Sequence, residues 1–442
     1  MRAGKIAFLS LGFFLAVSVT TIGQTAKNIT LDEAIQLSLQ NSKQLKYNKA
    51  KIEEAHAVLQ QSRMNQLPDV SGTGSYLRMH NPNINLKLQD PQTNKAVSTA
   101  SNLKINQVAY SMVTASLPIF GGFGIRYGIE SSKYLLQAAK LDSANDRQAL
   151  IQNTISAYCN LYKARVQVDL INENLKEAQE RVANSVDMEK NGVIVRNDLL
   201  KVQLQESNVE LSLLEAQKDL TMAILNMNIM LGQPEDTQLI PDTNWLLPAN
   251  DARTIMDWEQ AALSNRQDIK AIQLREKSAN LNIKVAKANY YPGFALTSNY
   301  INAYIPGLLT ITNGLGVGFG LKYNISSLWK NESKVARAKA QQQQLYMNAG
   351  LLTDQIRIEI NEAYQDYILS LRKIDVYAKT VGQTAENYTI SQSKFANKTV
   401  TTTDLLDADV SQVQAKLNYS FAKADAVVAY KKLLQTAGLL TN

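Results

Sequence analysis

Apolar residues recur along this chain in two rhythms. Over 31–66, Leu31, Leu45, Ile52 and Leu59 fall at multiples of seven in a stretch free of proline and glycine, which predicts a helix with a coiled-coil seam. Pro68 ends it, and the following residues to 79 are rich in Gly, Ser and Thr and predict a strand over about 69–79. A second strand is predicted over 103–120. Leu103, Ile105, Ala109, Val113 and Leu117 lie on one side of it, against Lys104, Asn106, Thr114 and Ser116, although Val108, Tyr110 and Met112 interrupt the polar side. The alternation is sharper over 314–325, where Leu315, Val317, Phe319, Leu321 and Tyr323 alternate with Gly316, Gly318, Gly320 and Lys322; its partner is 293–305. An apolar face opposite a small or polar one suits a strand between lipid and a water-filled lumen, and equally a half-buried strand of a soluble sheet.

Two very long helices are expected in each half. Over 123–189 there is no proline, and Ala157, Ala164, Ile171, Ala178 and Ser185 interleave at heptad spacing with Leu161, Val168, Leu175 and Val182. At 1.5 Å per residue such a helix is roughly 100 Å long, too long for a compact domain. It breaks at Asn191-Gly192, and a further helix runs from about 197 to Gly232. In the second half Leu406, Val413, Ser420, Val427 and Leu434 again stand seven apart.

The chain repeats itself once. Sliding it by 224 residues matches Asn41 with Asn265, Pro68 with Pro292 and Tyr76 with Tyr300. Sliding it by 206 matches Ala157-Tyr158 with Ala363-Tyr364, Asp198-Leu199-Leu200 with Asp404-Leu405-Leu406, and Gly232 with Gly438. The repeats occupy 24–232 and 255–442. Between them, 233–254 carries Pro234, Pro241 and Pro248 and reads as an irregular linker. The difference between the two offsets leaves 18 additional residues in the first half, which fall in the polar stretch 81–101 and suggest an extracellular loop.

The first residues set the compartment. Arg2 and Lys5 precede an apolar run over 6–19, and Thr21 and Gly23 follow, the layout of a secretory signal peptide over 1–23. No later stretch is apolar enough for a membrane-spanning helix, so only a β-barrel could carry the mature chain across a bilayer. Four strands cannot close one. Two chains give eight strands with a filled interior, so three chains and twelve strands form the smallest assembly with a pore.

Charge and chemistry add mostly exclusions. The formal charge is +7, and loss of Arg2 and Lys5 lowers 46 basic residues to 44 against 39 acidic, interleaved along helical faces, so a nucleic-acid partner is not expected. The lone Cys159 excludes an intramolecular disulfide, and His56 and His80 have no neighbours in metal or triad spacing. The glycines at 314, 316, 318 and 320 lack the spacing of a phosphate loop, and Met222, Met227 and Met230 read as gap-fillers rather than as a soft-metal site. No catalytic residue, metal or cofactor is expected, and the chain is not read as an enzyme.

The order and duplication of short motifs resemble the TolC family of outer-membrane efflux and secretion channels. They are Leu31-Asp32-Glu33-Ala34, Leu117-Pro118-Ile119-Phe120-Gly121-Gly122, Asn191-Gly192 with Asp198-Leu199-Leu200, and Asp404-Leu405-Leu406-Asp407-Ala408. The resemblance implies a mainly α fold with a membrane β-barrel part: a homotrimeric α/β barrel in the outer membrane, with four strands and long antiparallel coiled-coil helices from each chain. It also implies a helical tunnel into the periplasm, docking onto a periplasmic adaptor and an inner-membrane transporter through tip turns at Asn191, Gly192, Arg196, Asp198, Asn397 and Lys398. An acidic gate would fall on Asp404 and Asp407, whereas Asp198 reads as a helix cap. Lys398 stands where the second tip turn should carry glycine, and Val400 where the family often has a latching arginine, a partnership Arg196 could take over. Two alternatives to an efflux duct remain: a type I protein-secretion conduit of the same fold, and a periplasmic coiled-coil scaffold or adhesin without a pore, which would have no need of two strand pairs.

Overall fold

The structure, a computed structural model, describes residues 27–80, 88–89, 96–97, 105–246 and 251–441. The signal-peptide stretch and most of the predicted 81–101 loop lie outside them. The elements run β1 (Lys27–Ile29), α1 (Leu31–Asn41), α2 (Lys43–Met64), β2 (Asp69–Arg78), β3 (Leu88–Gln89), β4 (Ala96–Val97), β5 (Gln107–Gly121), α3 (Gly124–Lys190), α4 (Arg196–Leu231) and β6 (Leu239–Pro241). The second half follows with α5 (Ile255–Asn265), α6 (Gln267–Ala288), β7 (Gly293–Ile305), β8 (Leu309–Lys322), α7 (Ser327–Ala396) and α8 (Thr402–Thr436). Among the described residues no helix is long and apolar enough to cross a membrane.

Contacts divide the chain into two compact units. One takes the chain up to Asn41 with Asn153–Pro248 and Leu371–Val428; the other takes Ser42–Gln152, Ala249–Ser370 and Ala429–Asn442. In the first unit β1 pairs in parallel with β6, and Ile29, Ala34, Tyr158, Leu161, Met227, Leu231 and Leu239 pack into one core. The buried Tyr158 hydroxyl donates to the Ile29 carbonyl at 2.7 Å and accepts from the Asp242 amide at 2.9 Å, tying helix to sheet. Burial pushes the neighbouring Cys159 thiol up to about 12, so it is an apolar packing group here rather than a nucleophile. Met227 is fully buried in the same core, as a gap-filling methionine would be.

In the second unit the four long strands form an antiparallel sheet in the order β2-β5-β7-β8. Trp258 is fully buried beneath the Arg253 guanidinium, which stacks 3.7 Å from its ring centroid while gripping Asp251. That grip comes first among the causes that hold the Asp251 carboxyl down at about 2.

Three expectations need correction. The helix predicted over 31–66 is two helices, because Ser42 leaves helical geometry (ψ 119°) and its hydroxyl accepts from the Leu45 amide at 3.2 Å. Neither proline nor glycine marks the break. The linker is not wholly irregular, since it supplies β6, with Pro241 at the strand's end, where no further ladder bond is needed. The last strand starts at Leu309, not near 314, because a tight turn through Gly307 (φ 74°) brings the chain back at once.

The heptads of α3 match the burial observed. Ala157, Ala164, Ile171, Ala178 and Ser185 are all buried. The repeat is equally physical. Arg266 breaks α5 from α6 where Ser42 breaks α1 from α2, 224 residues earlier. Each break receives a left-handed glycine from the end of its own half. A Cβ on Gly232 (φ 67°) would lie 2.9 Å from the Asn41 Cβ, and one on Gly438 (φ 69°) would lie 2.9 Å from the Arg266 amide and the Asn265 carbonyl carbon. Asn41 Nδ2 donates to the Leu231 carbonyl at 2.6 Å, and Arg266 Nη1 donates to the Thr436 carbonyl at 3.3 Å. The two seats therefore use different side chains to satisfy the same helix end.

Alanine at either glycine combines a left-handed backbone with a clash, so each substitution is expected to destabilise by at least about 1 kcal/mol. Gly438→Ala should be the worse, because its neighbours are backbone atoms that cannot rotate away. Gly350→Ala, in a helix and facing open space, should instead stabilise by up to about 1 kcal/mol. Denaturant midpoints of the three variants check the ranking.

Candidate functional site

The register of the sheet sorts its side chains onto two unlike faces. Leu117 of β5 lies opposite Leu296 of β7, itself opposite Phe319 of β8; Val113, Tyr300 and Leu315 form a second such row. Phe319, at 84% exposure, and Val317 and Leu315, at about 70%, stand bare on this face. The other face carries Ser71, Thr73, Thr114, Ser116, Thr297 and Asn299, with Gly316 and Gly318 opening it further. Water is a poor solvent for a row as apolar as the first, and lipid a good one. Aromatic rings gather at two levels of the apolar face. Tyr76 and Tyr304 stand at one, both beside Ala109, and Phe294 stands ten residues from Tyr304 at the other, next to Phe120. Ten residues of strand span roughly 34 Å, which a tilt of about 40° reduces to nearly the 25 Å of an outer-membrane apolar band.

The helical turns that end α3 and α7 have nearly identical backbones. Val193 N–H bonds back to the Met188 carbonyl at 2.8 Å and Thr399 N–H to the Lys394 carbonyl at 2.9 Å, while Asn191 and Asn397 each donate their side-chain amide to the carbonyl four residues back. Both turns need a left-handed residue. Gly192 supplies it at φ 68°, and Lys398, standing where glycine was expected, adopts φ 58°. A side chain there costs about 1–2 kcal/mol in backbone sterics.

The aspartates after the turns play unlike parts. Asp404 forms a capping box: its Oδ2 accepts from the Thr401 amide at 2.8 Å and from the Thr401 hydroxyl at 2.7 Å, and the Asp404 amide donates to Thr401 Oγ1. The Thr401 hydroxyl, then its amide, hold the Asp404 carboxyl below its ordinary value, so the box is intact at neutral pH and weakens as pH falls through that lowered value. Asp198, read from the sequence as a cap, instead pairs with Lys201 at 3.3 Å, and Val195 at its N-cap has no side-chain oxygen to offer. Asp407 is exposed, and among the described residues no ion pair joins Arg196 to Asp404 or Asp407.

The sequence reading missed a buried charge pair close to these turns. Two turns into α8, Asp409 is buried and its Oδ2 accepts from Arg181 Nη1 at 2.9 Å and Asn174 Nδ2 at 3.4 Å, both on α3; Arg181 Nη2 also donates to the Tyr388 hydroxyl on α7 at 3.3 Å. Burial pulls the Arg181 guanidinium down, but the hydrogen bond and charge of Asp409, with Tyr388, outweigh it and leave its pKa above the ordinary value. Three helices are thus pinned by one charge pair. Only the acidic residue on a face otherwise apolar could have signalled it.

Two measurements follow from these turns. Lys398→Gly should raise stability by about 1 kcal/mol and Gly192→Lys should lower it by a similar amount, read as opposite shifts in thermal midpoint. Arg181→Ala leaves a buried carboxylate alone and should cost about 3–5 kcal/mol, whereas Arg181→Met combined with Asp409→Leu should be close to neutral.

Comparison with known proteins agrees with this geometry. The sequence profile of the family described as "Outer membrane efflux protein" matches residues 34–233 and 258–439. The chain is 23% identical over 431 residues to the outer membrane efflux protein BepC of Brucella suis biovar 1 (strain 1330), covering 95% of this chain and 87% of that one. Among solved structures, the outer-membrane channel OprN superposes with a TM-score of 0.76 at 20% identity, over 92% of this chain and 89% of its own. The outer membrane protein VceC of Vibrio cholerae superposes with a TM-score of 0.75 at 16% identity, over 92% and 96% respectively. With both repeats matched in order, this chain belongs to the outer membrane efflux protein family.

Proposed function

We propose that three copies of this chain form the exit duct of a tripartite efflux system, passing solutes delivered by an inner-membrane transporter and its periplasmic adaptor through the outer membrane. The observation that carries this reading is a lipid-suited sheet with two unpaired edges. Among the described residues β2 and β8 each lack a partner on one side, and pairing β2 of one copy with β8 of the next leaves no backbone group unsatisfied once three copies close a ring. The helices support self-association too. Leu204, Leu211, Met222 and Ile229 on α4, and Leu351, Ile358, Leu369 and Val376 on α7, are exposed in the single chain. Their spacings of seven, eleven and seven residues average close to 3.6 per turn, so each set stays in one stripe along a nearly straight helix. Family membership weighs against a pore-less scaffold, which would leave the apolar sheet face without a use.

The tip turns around Asn191, Gly192, Arg196, Asp198, Asn397 and Lys398 are the surfaces offered to the adaptor. Threefold symmetry gathers Asp404 and Asp407 around one axis as an acidic ring, and Thr401 keeps the Asp404 carboxylate ionised there. Such a ring attracts cations and binds multivalent ones.

Asp404→Asn with Asp407→Asn is expected to lower cation selectivity and weaken block by multivalent cations in planar bilayers, with the trimer retained in native mass spectrometry. Asp407→Asn alone leaves the Thr401 box intact and should show part of the same change. Unaltered ion preference in both variants would move the gate to other residues, and a monomer in mild detergent would remove the assembly itself.

A further inference from the structure

At the foot of the apolar sheet face the chain builds a cleft that neither the barrel nor the duct requires. β5 carries a bulge between Pro118 and Phe120, so that Phe120 rather than Ile119 lies opposite Phe294 and turns onto the apolar face. Their rings approach to 6.2 Å. The next residues are left-handed twice over, at Gly122 (φ 61°) and Phe123 (φ 63°). Glycine is needed at the first, where a Cβ would lie 2.6 Å from the Ala288 carbonyl oxygen. Nothing of that kind excuses the second, because a bulky side chain in this region is a genuine outlier. The strained backbone sets the Phe123 ring edge-on against Phe120 at 5.3 Å and 6.5 Å from Tyr127. Phe120, Phe123, Tyr127, Tyr291, Lys284 and Lys287 line a cleft of about 430 Å³.

The charge on this cleft has no counterpart. Lys284 lies 5.3 Å over the Tyr127 ring, and Arg126 borders an adjoining hollow that shares Phe120 and Phe123. Among the described residues none of Lys284, Lys287 and Arg126 is paired with a carboxylate. β5 and β7 are the inner strands of the sheet, so the cleft lies away from both edges at which another copy could pair. It is continuous with the face suited to lipid, at the end where α3 leaves the sheet.

We propose that this cleft binds an anionic phospholipid of the periplasmic leaflet, with the phosphate between Lys284 and Lys287 and the upper acyl chain against Phe123 and Phe294. Aromatic rings hold the interfacial part of an amphiphile, and lysines at the same depth take its phosphate. The inference rests on the sheet spanning the outer membrane.

Nanodiscs of equal parts phosphatidylglycerol and phosphatidylcholine test it, with lipids retained by the released full-length assembly counted by native mass spectrometry. The parent should retain phosphatidylglycerol in preference. Lys284→Gln with Lys287→Gln should lower that preference by about fivefold per lysine, and Phe123→Gly should weaken retention of both lipids. Lys43→Gln with Lys46→Gln, exposed on α2, should change nothing, and glycerol phosphate in solution should not displace the bound lipid. No preference in the parent, an equal loss in the Lys43 and Lys46 control, or displacement by glycerol phosphate would each overturn the proposal. Failure of any variant, or of the parent, to enter nanodiscs of phosphatidylcholine alone would instead strike at the membrane reading beneath it.

Discussion

A sheet in hydrocarbon must satisfy every backbone donor and acceptor from protein alone, and most of this architecture answers to that requirement. Within one chain the ladder β2-β5-β7-β8 satisfies its interior and leaves two edges open. A soluble protein would blunt such edges with charge, proline or a covering helix. Here the outermost row instead pairs the bare side chains of Leu315, Val317 and Phe319 with glycines on the opposite face, which makes the edge strand flat, apolar and fit for extension.

Duplication explains how one chain comes to supply both strand pairs and both helix pairs. The equivalent features are mechanical as well as sequential: a broken first helix, a left-handed glycine resting on the break, and a tip turn closed by the same two backbone bonds. What differs is the chemistry filling equivalent positions. Asn41 does at one seat what Arg266 does at the other, and Gly192 and Lys398 hold the same backbone angle at very different steric cost.

Much of this was legible in the sequence, for physical reasons that can be named. Heptads in α3 were readable because the row from Ala157 to Ser185 is buried throughout, and strands β7 and β8 because lipid and lumen impose opposite polarities on alternate positions. The breaks at Ser42 and Arg266 were hidden, since each is a single extended residue between two helices and neither is a proline or a glycine. β6 was obscured by the prolines around it. At the tips, sequence located the turns but put the cap at Asp198 where the structure has it at Asp404, because the two occupy equivalent positions and only the residue three before each decides which can cap. Arg181 and Asp409 lie 228 residues apart, and no local spacing announces a contact that three helices must meet to make.

The unequal caps have a mechanical consequence. α8 begins inside a closed Thr401–Asp404 box, while α4 begins at Val195 without a side-chain cap. An uncapped start frays about 1 kcal/mol more readily, and the Arg181–Asp409 pair joins α8 to α3, with Tyr388 of α7 on the same guanidinium, without including α4. In each copy, then, the start of α8 is stiff and the start of α4 more compliant. Any force applied at that end is absorbed first by α4, so bending there would alternate around a ring of such chains rather than spread evenly through it.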